Sequence, residues 1–269
     1  MTILSHIKNL VNAADAGSAP RIAVFGDSHT AALLRAQQYS KRTEDYRRIR
    51  VYRLRKAKDG KAVGDFALSK FLKEVRSFGP DDFVFSVVGG NQYAIPSTVR
   101  SEIDYDLLTD AGDRLVDDGV QVVPLRAMAS FIESGVRESV GSVLRQVRAA
   151  TDARLFHLTP PPPKEDNEFI AAHVDGYFKR LGLGVLGPTH PSLRLKCWKV
   201  QLALLQDLCA DLDIGLLPPP AGTVNRDGFL KPSCYANDAT HANRRYGEAV
   251  LKQILGLAQA ATVRVSDAR

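Results

Sequence analysis

A serine stands directly after the first buried strand that the sequence predicts. The run Ile22 to Phe25 is continuously apolar, and Gly26, Asp27 and Ser28 follow it. A continuous apolar run is typical of a strand buried on both faces of a parallel sheet. In open α/β sheets, ligands bind at the carboxyl ends of such strands. Because a helix amino terminus at that point favours developing negative charge, Ser28 is a candidate nucleophile. A plain turn that caps a helix also fits these residues.

A second pattern, near the carboxyl terminus, supplies the base that such a serine requires. Asp238 and His241 stand three residues apart, just before the last predicted helix. The carboxylate can hold one ring nitrogen of His241 while the other accepts the proton of Ser28. The alternative is a surface turn that caps the last helix. Other histidines lack such a neighbour and are predicted to be structural or solvated: His6, His157, His173 and His190.

Donors for a tetrahedral oxyanion follow two further strands. The third predicted strand ends before Gly89, Gly90 and Asn91, and the side-chain N–H of Asn91 can donate to an oxyanion. Gly64, in the loop after the second strand, offers a backbone N–H, and Gly60 is the alternative glycine there. The backbone N–H of Ser28 itself completes the predicted oxyanion hole.

Strands and helices alternate along the chain, which favours a doubly wound parallel sheet. The strands are predicted at residues 21–25, 49–54, 83–88, 153–158 and 214–217. Helices are predicted after Ser28, from an N-cap at Asp65, at 132–150, at 193–212 and from Tyr246 onward. The proline runs 160–163 and 218–220 end two strands and stiffen the loops that leave them.

Residues 90–150 are predicted to form an enlarged connection over the strand ends. It holds a helix over 103–118 and a short strand or an extended loop at 120–125. One domain is expected over residues 21–262, with residues 1–20 as an extension. Apolar residues at helical spacing in that extension predict a short amphipathic helix.

Composition excludes several classes of protein. The chain has 269 residues, of which 45% are hydrophobic and 25% charged, as expected for a globular core. No apolar stretch approaches the roughly 18 residues that span a bilayer, so membrane insertion is not expected. Three cysteines without a C-x-x-C pair indicate neither a disulfide framework nor a zinc site, and we expect a cytoplasmic protein without a metal or an organic cofactor.

Positive charge is concentrated between Lys41 and Lys61. This segment holds ten basic and three acidic residues, while the whole chain has a net charge of +6. Such a patch can attract an anionic substrate, a phosphate-bearing carrier, nucleic acid or a membrane surface. The alternative is an edge strand, where Lys and Arg discourage pairing with other chains. No nucleic-acid-binding motif accompanies the charge, so nucleic acid is not an expected partner.

Taken together, the blocks of residues that end successive strands resemble the SGNH (GDSL-type) hydrolase superfamily. The first block is Gly26 to His29, the second is Gly64, the third is Gly89 to Gln92, and the last is Asp238 with His241. The resemblance spans residues 20–258. It departs from the family at His29, where leucine is usual, and at Gln92, where aspartate is common.

The resemblance implies a flavodoxin-like three-layer α/β/α sandwich with strand order 2-1-3-4-5. It further implies a triad of Ser28, His241 and Asp238, with Ser28, Gly64 and Asn91 as the oxyanion hole. The activity expected from it is hydrolysis of small acyl esters, including O-acetyl groups on a glycan. Two alternatives remain open, an acyltransferase that uses the same Ser28 ester and a binding protein without turnover.

Overall fold

The structure is a computed structural model, and it describes residues 19–41, 43–58, 61–109, 113–117 and 119–267. The extension helix predicted before residue 19 lies outside the described residues, and so does Gly60. The first half of the fold contains β1 (Ile22–Gly26), α1 (Thr30–Tyr39), α2 (Thr43–Arg47), β2 (Ile49–Arg53), β3 (Lys56–Lys58), β4 (Lys61–Val63), α3 (Leu68–Val75), β5 (Phe83–Val87) and α4 (Ala94–Ser97).

The connection after α4 begins with the short strands β6 (Tyr105–Asp106) and β7 (Gln121–Val122). A continuous helical stretch follows, made of α5 (Leu125–Gly135), a π-helical turn (Val136–Gly141) and α6 (Ser142–Arg148). The last part contains β8 (Arg154–Leu158), α7 (Asn167–Ala172), α8 (Gly176–Arg180), α9 (Leu183–Leu186), α10 (Pro191–Asp211), β9 (Gly215–Leu217) and α11 (Arg244–Asp267).

A five-stranded parallel sheet forms the centre of the molecule. Its strands lie side by side in the order β2, β1, β5, β8, β9, and every pairing between them is parallel. Counted along the sheet strands alone, this is the predicted order 2-1-3-4-5, and the strand positions agree with the prediction to within one residue at each end. The flavodoxin-like fold class is therefore confirmed.

Helices cover both faces of the sheet, which gives three layers. In β1, Ala23 and Phe25 pack into the core under α3, α5, α6 and α10, whereas Ile22 and Val24 pack against α1 and α11. The alternation follows from the two-residue period of a strand, and both faces are buried because helices lie on both. This double burial explains why β1 reads as a continuous apolar run.

The helix predicted over residues 103–118 is wrong. The described residues of that range form β6 and irregular chain, and β7 falls where a short strand or extended loop is predicted. The Asp106 carboxylate accepts hydrogen bonds from the N–H groups of Leu107 (2.8 Å) and Val116 (2.9 Å) and forms a buried ion pair with Lys196 (2.9 Å). Side chains that bind nearby backbone N–H groups compete with helix formation, and here they prevail.

Asp65 does not cap a helix as predicted. The N-cap of α3 is Ala67, which makes no side-chain capping bond, and the N–H of Asp65 instead donates to the carbonyl of Arg53 (3.0 Å). Among the described residues, no helix is long and apolar enough to cross a bilayer.

Candidate active site

Ser28 lies in the turn between β1 and α1. The N–H of Thr30 donates to the carbonyl of Asp27 (3.2 Å) and that of Ala31 to the carbonyl of Ser28 (3.1 Å), so the helix begins at once. Gly26 and Asp27 are buried, whereas Ser28 is exposed. Its hydroxyl makes no hydrogen bond with any residue that the structure describes. An exposed hydroxyl at a helix amino terminus is placed where negative charge is favoured.

Asp238 and His241 form the predicted pair. His241 Nδ1 lies 3.0 Å from Asp238 Oδ2, and Asp238 Oδ1 accepts from the backbone N–H groups of Thr240 (3.0 Å) and His241 (2.7 Å). Burial alone would raise the pKa of the Asp238 carboxyl, but its bonds with His241 and the charge of Lys164 hold that pKa well below its usual range. The carboxylate therefore stays ionised and orients the ring, which leaves Nε2 free to accept a proton.

One cleft of about 580 Å³ brings the predicted residues together. Ser28, Asn91 and the Asp238–His241 pair all line it, although they come from three separate loops. No hydrogen bond joins Ser28 to His241 among the described contacts, and such bonds often tighten only when substrate is bound. Gly64 is not among the described residues that line the cleft, whereas its neighbour Val63 is.

His29 fills the space between the serine turn and the loop after β5. Its ring centroid lies 5.3 Å from that of His241, and a Cβ on Gly90 would stand 2.6 Å from His29 Nε2. Gly90 has a φ of +110° and so lets the loop pass closely over this ring. Burial and, to a lesser extent, nearby His241 lower the pKa of His29 to about 4, so the ring is neutral at neutral pH.

The Gly89–Asn91 loop is held by the side chain of Gln92, which stands where aspartate is common in the family. Gln92 Oε1 accepts from the N–H of Gly90 (3.0 Å), and its Nε2 donates to Ser139 Oγ (2.7 Å) in the π-helical turn. Gln201 on α10 donates to the same Oε1 (3.3 Å). The Asn91 amide, by contrast, makes no side-chain bond within the described part of the chain and is free to face a ligand.

The Asp27 carboxylate joins the first strand to two of the loops. Its Oδ2 accepts from the N–H of Gly89 (3.1 Å) and from the ammonium of Lys56 in β3. Asp27 is buried, and such bonds offset the cost of burying a carboxylate. This side chain therefore positions the loop from Gly89 to Asn91 relative to Ser28.

Lys164 holds the loop that carries Asp238. Its side chain is fully buried, and its ammonium donates to the carbonyls of Ala236 (2.6 Å) and Asp238 while lying 3.8 Å from Asp238 Oδ1. The rings of Phe169 and Tyr235 face the same ammonium at 4.8 Å and 5.1 Å. Burial lowers the pKa of Lys164 to about 8, although Asp238 counteracts this, so the group is charged at neutral pH.

Polar side chains of α10 fasten the loops beneath the cleft. The buried Arg194 donates to the carbonyls of Lys164 (3.0 Å) and Thr189 (2.5 Å), and the Trp198 indole donates to that of Pro160 (3.2 Å). Gln201 Oε1 accepts from the N–H of Tyr93 (2.7 Å). The sequence did not predict a role for these residues or for Lys164. The spacing of Arg194, Trp198 and Gln201 could have indicated that these three polar side chains share one buried face of a helix.

His157, His173 and His190 have structural roles, and His6 lies outside the described residues. His157 is buried in β8, and burial lowers its pKa to about 4. His190 caps α10 by accepting from the N–H of Ser192 (3.2 Å), and His173 stacks on Phe169. Within the described ranges, no three His, Cys, Asp or Glu side chains come together as a metal site would require.

Comparisons with known proteins show similarity at the level of the fold. No protein-family model matches the chain, and no curated protein matches it. Among solved structures, a GDSL-like lipase from Bacteroides thetaiotaomicron is 12% identical, with a TM-score of 0.43 over 94% of this chain and 97% of that one. A phospholipase A1 from Streptomyces albidoflavus is 14% identical, with a TM-score of 0.44 over 90% and 100%.

A carbohydrate acetylesterase from Sinorhizobium meliloti is 12% identical, with a TM-score of 0.42 over 90% of this chain and 99% of that one. A protein described as GDSL-like is thus among the solved structures to which this chain is similar. At these identities the likeness concerns the fold, and the chemistry is argued below from the site itself.

Replacement of Lys164 tests its action on the Asp238 loop. Lys164→Met should lower the free energy of unfolding by about 1–3 kcal/mol near pH 6, because two buried carbonyls lose their donor and Asp238 loses a cation. A lowered folded-state pKa contributes stability above the usual carboxyl pKa, and that contribution is lost as the pH falls. Without Lys164, the pKa of Asp238 in the folded variant rises toward its usual value. The deficit should therefore shrink below about pH 4, where the carboxyl of the variant takes up a proton.

Urea unfolding between pH 3 and pH 7 measures this deficit. The matched control is Lys199→Met, which removes an exposed ammonium from α10. A deficit that is the same at every pH would mean that Lys164 packs against the loop without acting on the Asp238 carboxylate.

Proposed function

We propose that this protein is an SGNH-type ester hydrolase with Ser28 as its nucleophile. The observation that carries the proposal is the cleft, in which an exposed serine at a strand–helix turn stands with a carboxylate-oriented imidazole. A nucleophile, a base and an orienting carboxylate are the groups that acyl transfer requires. The free amide of Asn91 in the same cleft adds a donor for an oxyanion.

In the proposed mechanism, Ser28 Oγ attacks the ester carbonyl and His241 Nε2 takes the serine proton. The tetrahedral intermediate collapses when the imidazolium donates that proton to the leaving alcohol oxygen, and an acyl-enzyme remains. Water then attacks the acyl-enzyme with His241 again as base, which releases the acid and restores Ser28. Asp238 holds the ring in the tautomer that each step needs and stabilises the imidazolium.

The oxyanion is stabilised by donors from two loops. We assign the Ser28 N–H and the Asn91 side chain to it, and we retain Gly64 as the proposed third donor. Asn91 suits this role because Gln92 and Gln201 hold its loop while its own amide stays unpaired. Donors fixed in advance need no reorganisation when charge develops.

The acyl group of the substrate is short. A pocket of about 20 Å³ adjoins the cleft and shares His29, Gly89 and Gly90 with it. Its other walls are largely apolar, with Leu33, Leu158, Pro160, Pro161, Tyr246 and Val250 among them. Because a single water needs about 10–15 Å³ on this measure, the pocket admits about one methyl group. This favours acetyl esters, including O-acetyl groups on a carbohydrate.

Removal of the nucleophile is the direct test. Ser28→Ala should lower the kcat for 4-nitrophenyl acetate by about 10⁶-fold, as in other serine triads, and should abolish labelling by a fluorophosphonate probe. Its melting temperature should match that of the parent, because Ser28 is exposed and unpaired. Ser142→Ala, at an exposed position on α6, is the control.

A Ser28→Ala variant within tenfold of the parent would refute the mechanism. If the probe labels the parent protein, and the parent acetylates an added sugar without releasing acid, the protein is an acyltransferase instead. Absence of both labelling and turnover in the parent would favour the binding protein.

Asn91→Ala tests the oxyanion assignment. Its kcat should fall by roughly 10²–10³, the usual effect of removing one donor, with a smaller change in KM. Steady-state kinetics with 4-nitrophenyl acetate measure both constants. A rise in KM at unchanged kcat would make Asn91 a substrate contact instead.

The length of the acyl chain tests the pocket. From acetyl to hexanoyl esters of 4-nitrophenol, kcat/KM should fall roughly 10- to 100-fold, because forcing extra methylenes into a packed site costs about 1–3 kcal/mol. Ala32→Val, which narrows the pocket, should weaken acetyl turnover as well, whereas Ala31→Val, outside its lining, should not. A preference for hexanoyl esters would show that the acyl chain binds elsewhere.

A further inference from the structure

Arg53 stands at the mouth of the cleft. It is the last residue of β2, the edge strand, and pairs in register with Gly26 of β1. The N–H of Leu54 donates to the carbonyl of Gly26 (2.7 Å), so the two chains leave the sheet side by side. Arg53 is half-buried and lines the same cleft as Ser28. Arg53 therefore belongs to the wall of the cleft that holds the candidate nucleophile.

Two neighbouring basic side chains, Arg50 and Lys56, already have partners, whereas Arg53 has none among the described residues. Arg50 forms an ion pair with Glu74 (3.0 Å), and Lys56 pairs with the Asp27 carboxylate. The Arg53 guanidinium makes no hydrogen bond or ion pair with any residue in the described part of the chain. A half-buried cation that faces a cleft without a counter-ion favours an anion from outside the protein.

The carboxylates that line the cleft are each committed to another group. Asp27 accepts from Lys56 and Gly89, and Asp238 accepts from His241. Asp175, which also lines the cleft, accepts from the N–H groups of Tyr177 (2.9 Å) and Phe178 (3.1 Å) at the start of α8. None of these three carboxylates forms an ion pair with Arg53 among the described contacts.

We propose that Arg53 binds an anionic group on the alcohol portion of the substrate. The proposal rests on the esterase function above, which assigns the acyl portion to the apolar pocket beside His29. The alcohol portion then extends over the end of β2, where Arg53 lies. A planar guanidinium binds the oxygens of a carboxylate or a phosphate through paired hydrogen bonds, so the natural substrate is an acyl ester of an acidic hydroxyl compound.

The two interpretations of the basic segment therefore apply to different residues. Arg50 belongs to the exposed edge strand and is neutralised by Glu74 on α3, which suits protection of the edge. Arg53, three residues later, lines the cleft and suits recognition of an anion. One strand carries both functions because its last residue lines the cleft, whereas Arg50, nearer its start, does not.

Matched acetyl esters provide the test. Phenyl acetate is the neutral ester, 4-acetoxybenzoate carries a carboxylate, and 4-acetoxyphenyl phosphate carries a phosphate. The measured quantity is kcat/KM for each anionic ester divided by kcat/KM for phenyl acetate, compared between variants so that differences in leaving group cancel. Arg53→Gln should lower this ratio roughly 10- to 100-fold, since a hydrogen bond to a charged group contributes about 1.5–3 kcal/mol.

The control is Arg55→Gln, which removes the same charge two residues away at an exposed position outside the cleft lining. It should leave the ratio unchanged. Arg53→Lys should restore part of the ratio, because it returns the charge without the fork of the guanidinium. The parent ratio should also fall with added salt, because screening weakens attraction between charges. The larger of the two anionic ratios identifies carboxylate or phosphate as the preferred group.

An equilibrium measurement separates this proposal from the esterase proposal. Benzoate and phenyl phosphate are titrated calorimetrically into Ser28→Ala and into the double variant Ser28→Ala with Arg53→Gln. Weaker binding to the double variant supports the anion site even if the parent hydrolyses no ester. An unchanged ratio and equal binding in the two variants would overturn the proposal, as would an equal effect of Arg55→Gln.

Discussion

The close approach of β1 to β5 at Gly26 is the constraint on which the candidate site depends. A Cβ at this position would stand 2.4 Å from Val87 Cγ2 and 2.8 Å from the Val87 carbonyl oxygen, so any side chain would force the strands apart. Because the strands are this close, Asp27 can reach the N–H of Gly89 (3.1 Å). The serine turn and the loop from Gly89 to Asn91 are thereby joined through the Asp27 side chain at the ends of two adjacent strands, and strands position a site more precisely than loops do.

The third loop of the site comes from a part of the chain that has no strand to hold it. Asp238 and His241 lie in the loop before α11, and buried side chains from other elements help to fix their position. Lys164 binds the carbonyls of that loop, and Arg194 binds the carbonyl of Lys164 (3.0 Å). These buried cations link α10 to the base through one connected set of hydrogen bonds. Buried charges are costly unless every donor is used, and here backbone carbonyls accept from them.

The strands and the candidate catalytic residues could be predicted because each is marked by a short, local pattern in the sequence. Ile22 to Phe25 is an unbroken apolar run, and Asp238 and His241 are three residues apart, so each pattern can be recognised without knowledge of distant residues. The helix expected at 103–118 fails because Asp106 binds Lys196, ninety positions away, and this partner is invisible to a local pattern. The role of Lys164 is likewise absent from any local pattern, because its carbonyl acceptors and one of its aromatic neighbours lie about seventy residues away along the chain. Gly64 was inferred from its order along the chain, and order alone does not determine whether an N–H faces the cleft.

The strand order also gives the two ends of the cleft different characters. On the inner side, α1 and α11 close over the ends of β5 and β8, and the pocket they leave there is small and largely apolar. On the outer side, β2 has no further neighbour in the sheet, so the end of that strand opens outward and carries Arg53. In the proposed complex, the acyl group of a substrate bound at Ser28 faces the confined apolar wall, and its alcohol group faces the open wall with Arg53. Under the proposed function, this difference between the two walls distinguishes a short acyl group from an acidic alcohol, because the open end of the edge strand β2 places Arg53 in the same cleft as Ser28.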